Sequence, residues 1–113
     1  MNQNSPQFKN RCIAARLFLQ HEVAKKRATI FYKDLWEIIG SNRFEIAYIL
    51  GTIVTMDKAE GLPLLSSLVI SKEKGKPSFG FYEMGGIVGI TSNITENEFI
   101  KKNQQECWSY YSK

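Results

Sequence analysis

The chain has 113 residues, of which 43% are hydrophobic, and its 15 basic and 11 acidic side chains give a formal net charge of +4. This composition predicts one globular domain, residues 1–113, and excludes a disordered chain. No apolar run approaches the roughly 20 residues of a membrane span, and the N-terminal segment lacks the apolar centre of a signal peptide. We therefore expect a cytoplasmic protein without a membrane partner, whose mild basicity permits a polyanionic one.

The two cysteines, Cys12 and Cys107, lie far apart, and neither belongs to a C-x-x-C pair. This spacing does not suit zinc, and we expect no bound metal or cofactor. Two buried thiols in a reducing compartment fit the pattern best, and a disulfide between the terminal helices is the alternative. His21, next to Glu22, is expected to be a surface residue rather than a catalytic base.

The first element predicted is a helix from about Pro6 to Lys25. Ser5 suits the N-cap position and Pro6 the first helical position. The apolar residues that then recur at helical spacing are Phe8, Cys12, Ala15, Leu19 and Val23. The basic run from Lys25 to Arg27 falls where cations suit the C-terminal end of the helix dipole.

The stretch "ATIFYKDLWEIIGSNRFE" predicts a short extended piece followed by two helices. The first of these helices ends at Gly40, a residue type that commonly terminates helices in a left-handed conformation. The second has Asn42 as a candidate N-cap with Glu45 three positions later, which is the pattern of a capping box. It continues to about Glu60, where Gly61 closes it.

From Leu64 onward the pattern changes to a β-hairpin and a last helix. "LLSSLVIS" and "SFGFYEM" are strand-like, and "KEKGKP" between them is a turn that carries Lys72, Lys74 and Lys76. For the glycine-rich segment Gly85–Asn93 the sequence allows two predictions, a loop or a short apolar flap over the core. Thr95 and Glu98 form a second candidate capping box. The helix that follows, roughly 96–110, would bury Phe99, Ile100, Cys107 and either Tyr110 or Tyr111.

The order helix, helix, helix, hairpin, helix is the plan of a winged helix-turn-helix. We therefore predict an α+β fold, mostly helical, with one β-hairpin and a C-terminal helix. No linker divides the chain, so a single winged-helix-like domain is expected.

The segment "TIFYKDLWEIIG" resembles the "T-x-S-Y-G-E-L-A-x-x-I-G" stretch in the DNA-binding domain of O6-alkylguanine-DNA alkyltransferases and alkyltransferase-like proteins. "GLPLLSSLVISKEKGKPSFGFY" is similar to that family's "N-P-x-P-x-x-x-P-C-H-R-V-x-x-x-x-G-x-x-G-G-Y", and the resemblance covers roughly residues 29–82. It implies a winged helix-turn-helix that binds DNA. Tyr32 matches the family tyrosine that rotates a phosphate at the flipped nucleotide.

Two family features are absent from this sequence. The reactive Pro-Cys-His-Arg is replaced by "LLSSLVI", so a thiolate cannot accept an alkyl group there, and Ser66 and Ser67 have no base nearby in sequence. Ile46 or Tyr48 stands near the position of the family's intercalating arginine, which puts base flipping in doubt.

Seven residues are candidates for contacts with nucleic acid. Polar side chains at the start of the third helix would read base edges, and the hairpin tip and Tyr32 would hold phosphates. The candidates are Tyr32, Ser41, Asn42, Arg43, Lys72, Lys74 and Lys76. The alternative for the lysines is a solvated turn without a ligand, whose charges prevent the edge strands from pairing with another chain.

A second hypothesis is a protein-interaction module on the same scaffold, such as an inhibitor, an immunity protein or a phage–host conflict protein. Aromatic side chains would anchor the partner. The candidates are Trp36, Phe44, Tyr48 and Trp108, with burial left open for both tryptophans. No nucleophile–base pair or metal set is evident, so an enzyme is not expected. DNA and a protein are both open as partners.

Overall fold

The computed structural model describes residues 5–77 and 95–113 and has an α+β architecture that is mostly helical. Its helices are α1 (Pro6–Phe18), α2 (Tyr32–Ile38), α3 (Ile46–Ala59) and α4 (Glu96–Tyr111). Two short strands, β1 (Ile30–Phe31) and β2 (Val69–Ile70), pair in parallel with Ile30 opposite Val69.

The first predicted helix is confirmed, with a change of helix type near its end. Ser5 caps it, since its Oγ accepts a hydrogen bond from the Phe8 amide at 3.1 Å. After Phe18 the chain continues without a break as a wider π-helical turn, Leu19–Ala24. Arg27 then adopts a left-handed conformation with φ of +55°.

The predicted glycine stops are confirmed at Gly40 and Gly61, whose φ angles are +71° and +67°. At each stop the following amide bonds back to a carbonyl in the last helical turn, Ser41 N to Trp36 O at 2.7 Å and Leu62 N to Asp57 O at 2.8 Å. This closing pattern requires a left-handed residue, which glycine adopts without steric cost.

The predicted strand from Leu64 to Ser71 is correct only at Val69–Ile70. Leu65–Leu68 forms one turn of 3₁₀ helix, and β2 follows it. The turn forms because buried polar groups bond to α3: the Leu65 amide donates to Asp57 Oδ2 at 3.0 Å, and Ser66 Oγ donates to the Leu50 carbonyl at 2.9 Å. The other predicted strand, 78–84, and Gly85–Asn93 lie outside the described residues.

The last helix, α4, begins with the predicted capping box of Thr95 and Glu98, in which both hydrogen bonds are formed. It buries Phe99, Ile100 and Cys107 as expected. Of the two candidate tyrosines, Tyr111 packs against the core and Tyr110 is exposed. Trp108 joins α4 to the segment before β1 through a hydrogen bond from its Nε1 to the Ala28 carbonyl at 2.9 Å.

Apolar side chains from α1, α2, α3, the 3₁₀ turn and α4 form one core. Its fully buried members include Ala15, Leu19, Leu35, Ile49, Ile53, Leu65, Leu68, Val69 and Cys107. Cys12 and Cys107 are both free and buried, as expected. Burial raises the pKa of both thiols, that of Cys107 to about 12, so neither is a ready nucleophile.

A buried ion pair joins α1, α3 and the 3₁₀ turn. Asp57, 0% exposed, receives hydrogen bonds from Arg16 Nε at 3.0 Å and from the Leu65 amide. Arg16 also contacts Glu60, which follows α3. Burial raises the pKa of the Asp57 carboxyl to about 6, although the bonds from Leu65 and Arg16 oppose the shift.

The raised pKa of Asp57 makes stability depend on pH. The folded state holds the Asp57 proton more tightly than the unfolded state, so this carboxyl lowers the free energy of unfolding as pH rises from about 4 to 6, by up to about 3 kcal/mol. Urea unfolding of wild type and Asp57→Asn at pH 4, 5, 6 and 7 isolates this effect, because the variant lacks the titration. If the free energy of unfolding of wild type increased with pH relative to that of Asp57→Asn, the raised pKa of Asp57 would be contradicted.

The left-handed Arg27 is a site of local strain. Side chains with a Cβ are disfavoured in this conformation, so Arg27→Gly is expected to raise the free energy of unfolding by about 0.5–1 kcal/mol. Chemical denaturation measures the change. Arg27→Ala is the control, because it removes the charge and keeps the Cβ; an equal gain in that variant would show that charge and not backbone strain is responsible.

Candidate nucleic-acid interface

Glu45, in the turn between α2 and α3, points inward. It is 4% exposed. Arg11 of α1 donates two hydrogen bonds to its carboxylate, from Nε to Oε1 at 2.6 Å and from Nη2 to Oε2 at 2.8 Å. Ser41 Oγ adds a third at 2.6 Å. The hydrogen bond from Arg11 is the main cause that lowers the pKa of Glu45. The capping box predicted for Glu45 is therefore wrong, because its carboxylate pairs with Arg11 and Ser41.

Asn42, predicted as the N-cap of α3, instead caps the turn before it, because α3 begins at Ile46 and Glu45 is at its N-cap position. Asn42 Oδ1 accepts hydrogen bonds from the amides of Phe44 and Glu45, both at 2.9 Å. The Asn42 carbonyl accepts from the Ile46 amide at 3.1 Å, which continues the turn into α3. Ser41 Oγ and Asn42 Oδ1, assigned to base contacts from the sequence, thus hold the turn in place.

Arg43 and two aromatic side chains form the outer surface of the same turn. The Arg43 guanidinium carbon lies 4.7 Å from the centre of the Phe44 ring, in cation–π geometry. Phe44 is nevertheless 69% exposed, and Tyr48, one helical turn later, is 50% exposed. A charged group and two rings therefore face solvent at the start of α3.

The surface from Ser41 to Ala59 has no exposed acidic side chain. The acidic residues in this range, Glu45 and Asp57, are both buried against arginines of α1. The exposed acids Asp34 and Glu37 lie on α2 instead. The outward face of α3 is accordingly neutral or basic.

Lys72, Lys74 and Lys76 lie in a tight turn after β2. The Ser71 amide donates to the Lys76 carbonyl at 2.8 Å, and Gly75 adopts the left-handed conformation with φ of +67°. Lys72 and Lys74 are exposed, whereas Lys76 is half-buried and its Nζ lies 3.9 Å from Glu96 Oε1. Two of the three predicted cations, Lys72 and Lys74, are thus exposed.

The remaining aromatic candidates lie closer to the core. Tyr32 is the first residue of α2, and its half-buried side chain packs against the core. Trp36 and Trp108 are also half-buried against it, so neither is the exposed anchor that the second hypothesis required. His21 is exposed, as expected.

The helical pattern of α1 predicts that Arg11 and Arg16 belong to a basic, solvated face, and this is wrong because both pair with the buried carboxylates of Glu45 and Asp57. Both flank the apolar stripe of α1, the position from which a long side chain can reach a neighbouring helix. That placement indicates that each arginine can pair with a residue of another helix. It does not indicate which residue, because Glu45 and Asp57 are more than thirty residues away in sequence.

Within residues 5–77 and 95–113, no group of three or more His, Cys, Asp or Glu side chains is arranged to hold a metal ion. No helix in those ranges has the length and apolar character to cross a membrane. Comparisons with protein-family models, curated proteins and solved structures found no match.

The bonds to Glu45 predict how the turn responds to substitution. Glu45→Gln removes the charged partner of Arg11, which is 28% exposed and stays partly hydrated, and is expected to lower the free energy of unfolding by about 1.5–3 kcal/mol. Ser41→Ala removes one bond to a charged group, at a cost of about 1.5–3 kcal/mol. Urea denaturation gives both values, with Ser109→Ala on the exposed face of α4 as the matched control.

Because the pKa of Glu45 is lowered in the folded state, its stabilisation should be lost as pH falls below about 4.3. The difference between wild type and Glu45→Gln should therefore shrink on acidification. A difference that is constant from pH 7 to pH 3 would contradict the ion pair.

Proposed function

We propose that the protein binds nucleic acid and has no catalytic activity. The observation that carries this proposal is the burial of Glu45 and Asp57, which leaves Arg43 at the start of α3 without an exposed acid from Ser41 to Ala59. An exposed carboxylate beside Arg43 would repel phosphates, and each cation that contacts a phosphate adds to affinity by releasing counterions.

A winged-helix arrangement is part of the proposal. The resemblance of residues 29–82 to alkyltransferase DNA-binding domains supports it, as does the turn that follows β2 and carries Lys72 and Lys74 on its surface. In this arrangement α3 lies along the groove with Arg43 at its leading end, while the lysine turn and Tyr32 contact the backbone. This arrangement accommodates double-stranded DNA, and the same phosphate contacts are available to a single strand.

The protein-interaction module is the second candidate. The observation that favours it is the exposure of Phe44 and Tyr48, since aromatic side chains are frequent anchors at protein interfaces. The candidates differ in their response to salt. Binding that depends on phosphates weakens steeply with ionic strength, whereas a contact through aromatic anchors changes little.

Fluorescence anisotropy with labelled DNA at several salt concentrations tests the proposal. With about four to six phosphate contacts, a plot of the logarithm of the association constant against the logarithm of the salt concentration should have a slope of about −4 to −5. Each lost phosphate contact reduces the magnitude of this slope by roughly 0.9. Arg43→Ala should therefore reduce the magnitude of the slope by about 1, and the Lys72→Ala/Lys74→Ala/Lys76→Ala variant by about 2–3.

The charge-matched control is a triple alanine variant of the exposed residues Lys101, Lys102 and Lys113. It removes the same net charge from another part of the chain and should leave the slope nearly unchanged. If both triple variants weaken binding equally, net charge and not this surface is responsible. If wild type does not bind DNA at low salt, the proposed function is wrong.

A further inference from the structure

The turn between α2 and α3 holds an exposed aromatic residue in a fixed position. Three hydrogen bonds fix the Glu45 carboxylate, and Asn42 Oδ1 fixes the amides of Phe44 and Glu45. Phe44 lies between these anchored groups and is 69% exposed. A side chain presented on such a preordered backbone loses little entropy when it binds a ligand.

Tyr48 extends this surface along α3. It lies four residues after Phe44, in the first turn of α3. Neither ring is among the residues packed against the core. Two exposed aromatic side chains therefore lie four residues apart where the turn passes into α3, with the Arg43 guanidinium over Phe44.

We infer that Arg43, Phe44 and Tyr48 form a stacking platform for unpaired bases, so that the preferred ligand is single-stranded nucleic acid. The inference rests on the proposed function and specifies its ligand. Base–aromatic stacking is available to every base, because each has a π-face, and Arg adds a cation for the phosphates. In an intact duplex the faces of the bases are already stacked and unavailable to Phe44.

Charge favours a nucleic acid over an apolar peptide as the occupant of this platform. The cation Arg43 covers one side of Phe44, and the carboxylate nearest in sequence, Glu45, is buried and paired with Arg11. The exposed residues that continue the surface along α3, Thr55 and Lys58, are neutral and basic. Aromatic side chains with one cation beside them and no exposed acid along α3 complement bases joined by phosphates.

The test compares three labelled probes of equal length: a single strand, its intact duplex, and a base-free strand with the same phosphate backbone. Phe44→Ala should weaken binding to the single strand about fivefold to a hundredfold, the range expected for one lost stacking contact. Tyr48→Ala should act in the same direction. Binding to the duplex and the base-free strand should change less than about twofold.

Three further variants separate stacking from simple apolar contact. Phe44→Trp keeps a ring and should preserve affinity for the single strand, whereas Phe44→Leu keeps apolar area and should lose affinity nearly as Phe44→Ala does. Tyr110→Ala is the matched control for Tyr48→Ala, since both tyrosines are 50% exposed, and it should have no effect. A single strand containing 2-aminopurine should lose fluorescence on binding wild type and retain it with Phe44→Ala.

The outcomes distinguish the inference from the proposed function. If wild type binds the single strand and the base-free strand equally well, and Phe44→Ala behaves as Tyr110→Ala, the platform is refuted while the DNA-binding proposal stands. If Phe44→Leu retains full affinity, stacking is refuted. If no probe binds at low salt, both proposals fail.

Discussion

Two arginines of α1 determine how the described part of the molecule is organised. Arg11 holds Glu45 at the start of α3, and Arg16 holds Asp57 near its end. Buried charges are costly unless paired, and removal of one partner typically costs about 3–5 kcal/mol. The two ion pairs therefore fix the position of α1 along α3, and Asp57 extends the constraint to the 3₁₀ turn through the Leu65 amide.

The same ion pairs decide what α3 presents to solvent. With Glu45 and Asp57 turned inward, the exposed side chains from the preceding turn into α3 include Arg43, Phe44 and Tyr48. At the surface, the carboxylate of Glu45 would repel a polyanion. In its buried position it instead holds the turn that carries Arg43 and Phe44. Stability and the proposed binding surface are thus coupled, because a change at Arg11 or Glu45 alters both the core and the turn that carries Phe44.

The helix ends show how local chemistry supports this arrangement. Gly40 and Gly61 close α2 and α3 in left-handed conformations, and Arg27 adopts the same conformation after the first helix without being a glycine. These closures turn the chain sharply, which keeps the connections short and allows β1 to pair with β2 across the sequence. Arg27 adopts the conformation despite its Cβ, because the surrounding bonds, including that from the Ala28 amide to the Val23 carbonyl, hold it there.

The sequence by itself determined the helices, the caps at Ser5 and Thr95, the glycine stops and the apolar stripe that forms the core, because these depend on neighbours within a few residues. It also identified Arg43, Lys72 and Lys74 as exposed cations. Only the tertiary structure decided the direction of Glu45, the 3₁₀ turn within "LLSSLVIS", the parallel pairing of β1 with β2, and the exposure of Phe44 in contrast to Trp36. Each of these depends on a partner distant in sequence, such as Arg11 for Glu45 and Asp57 for Leu65, which no local pattern specifies.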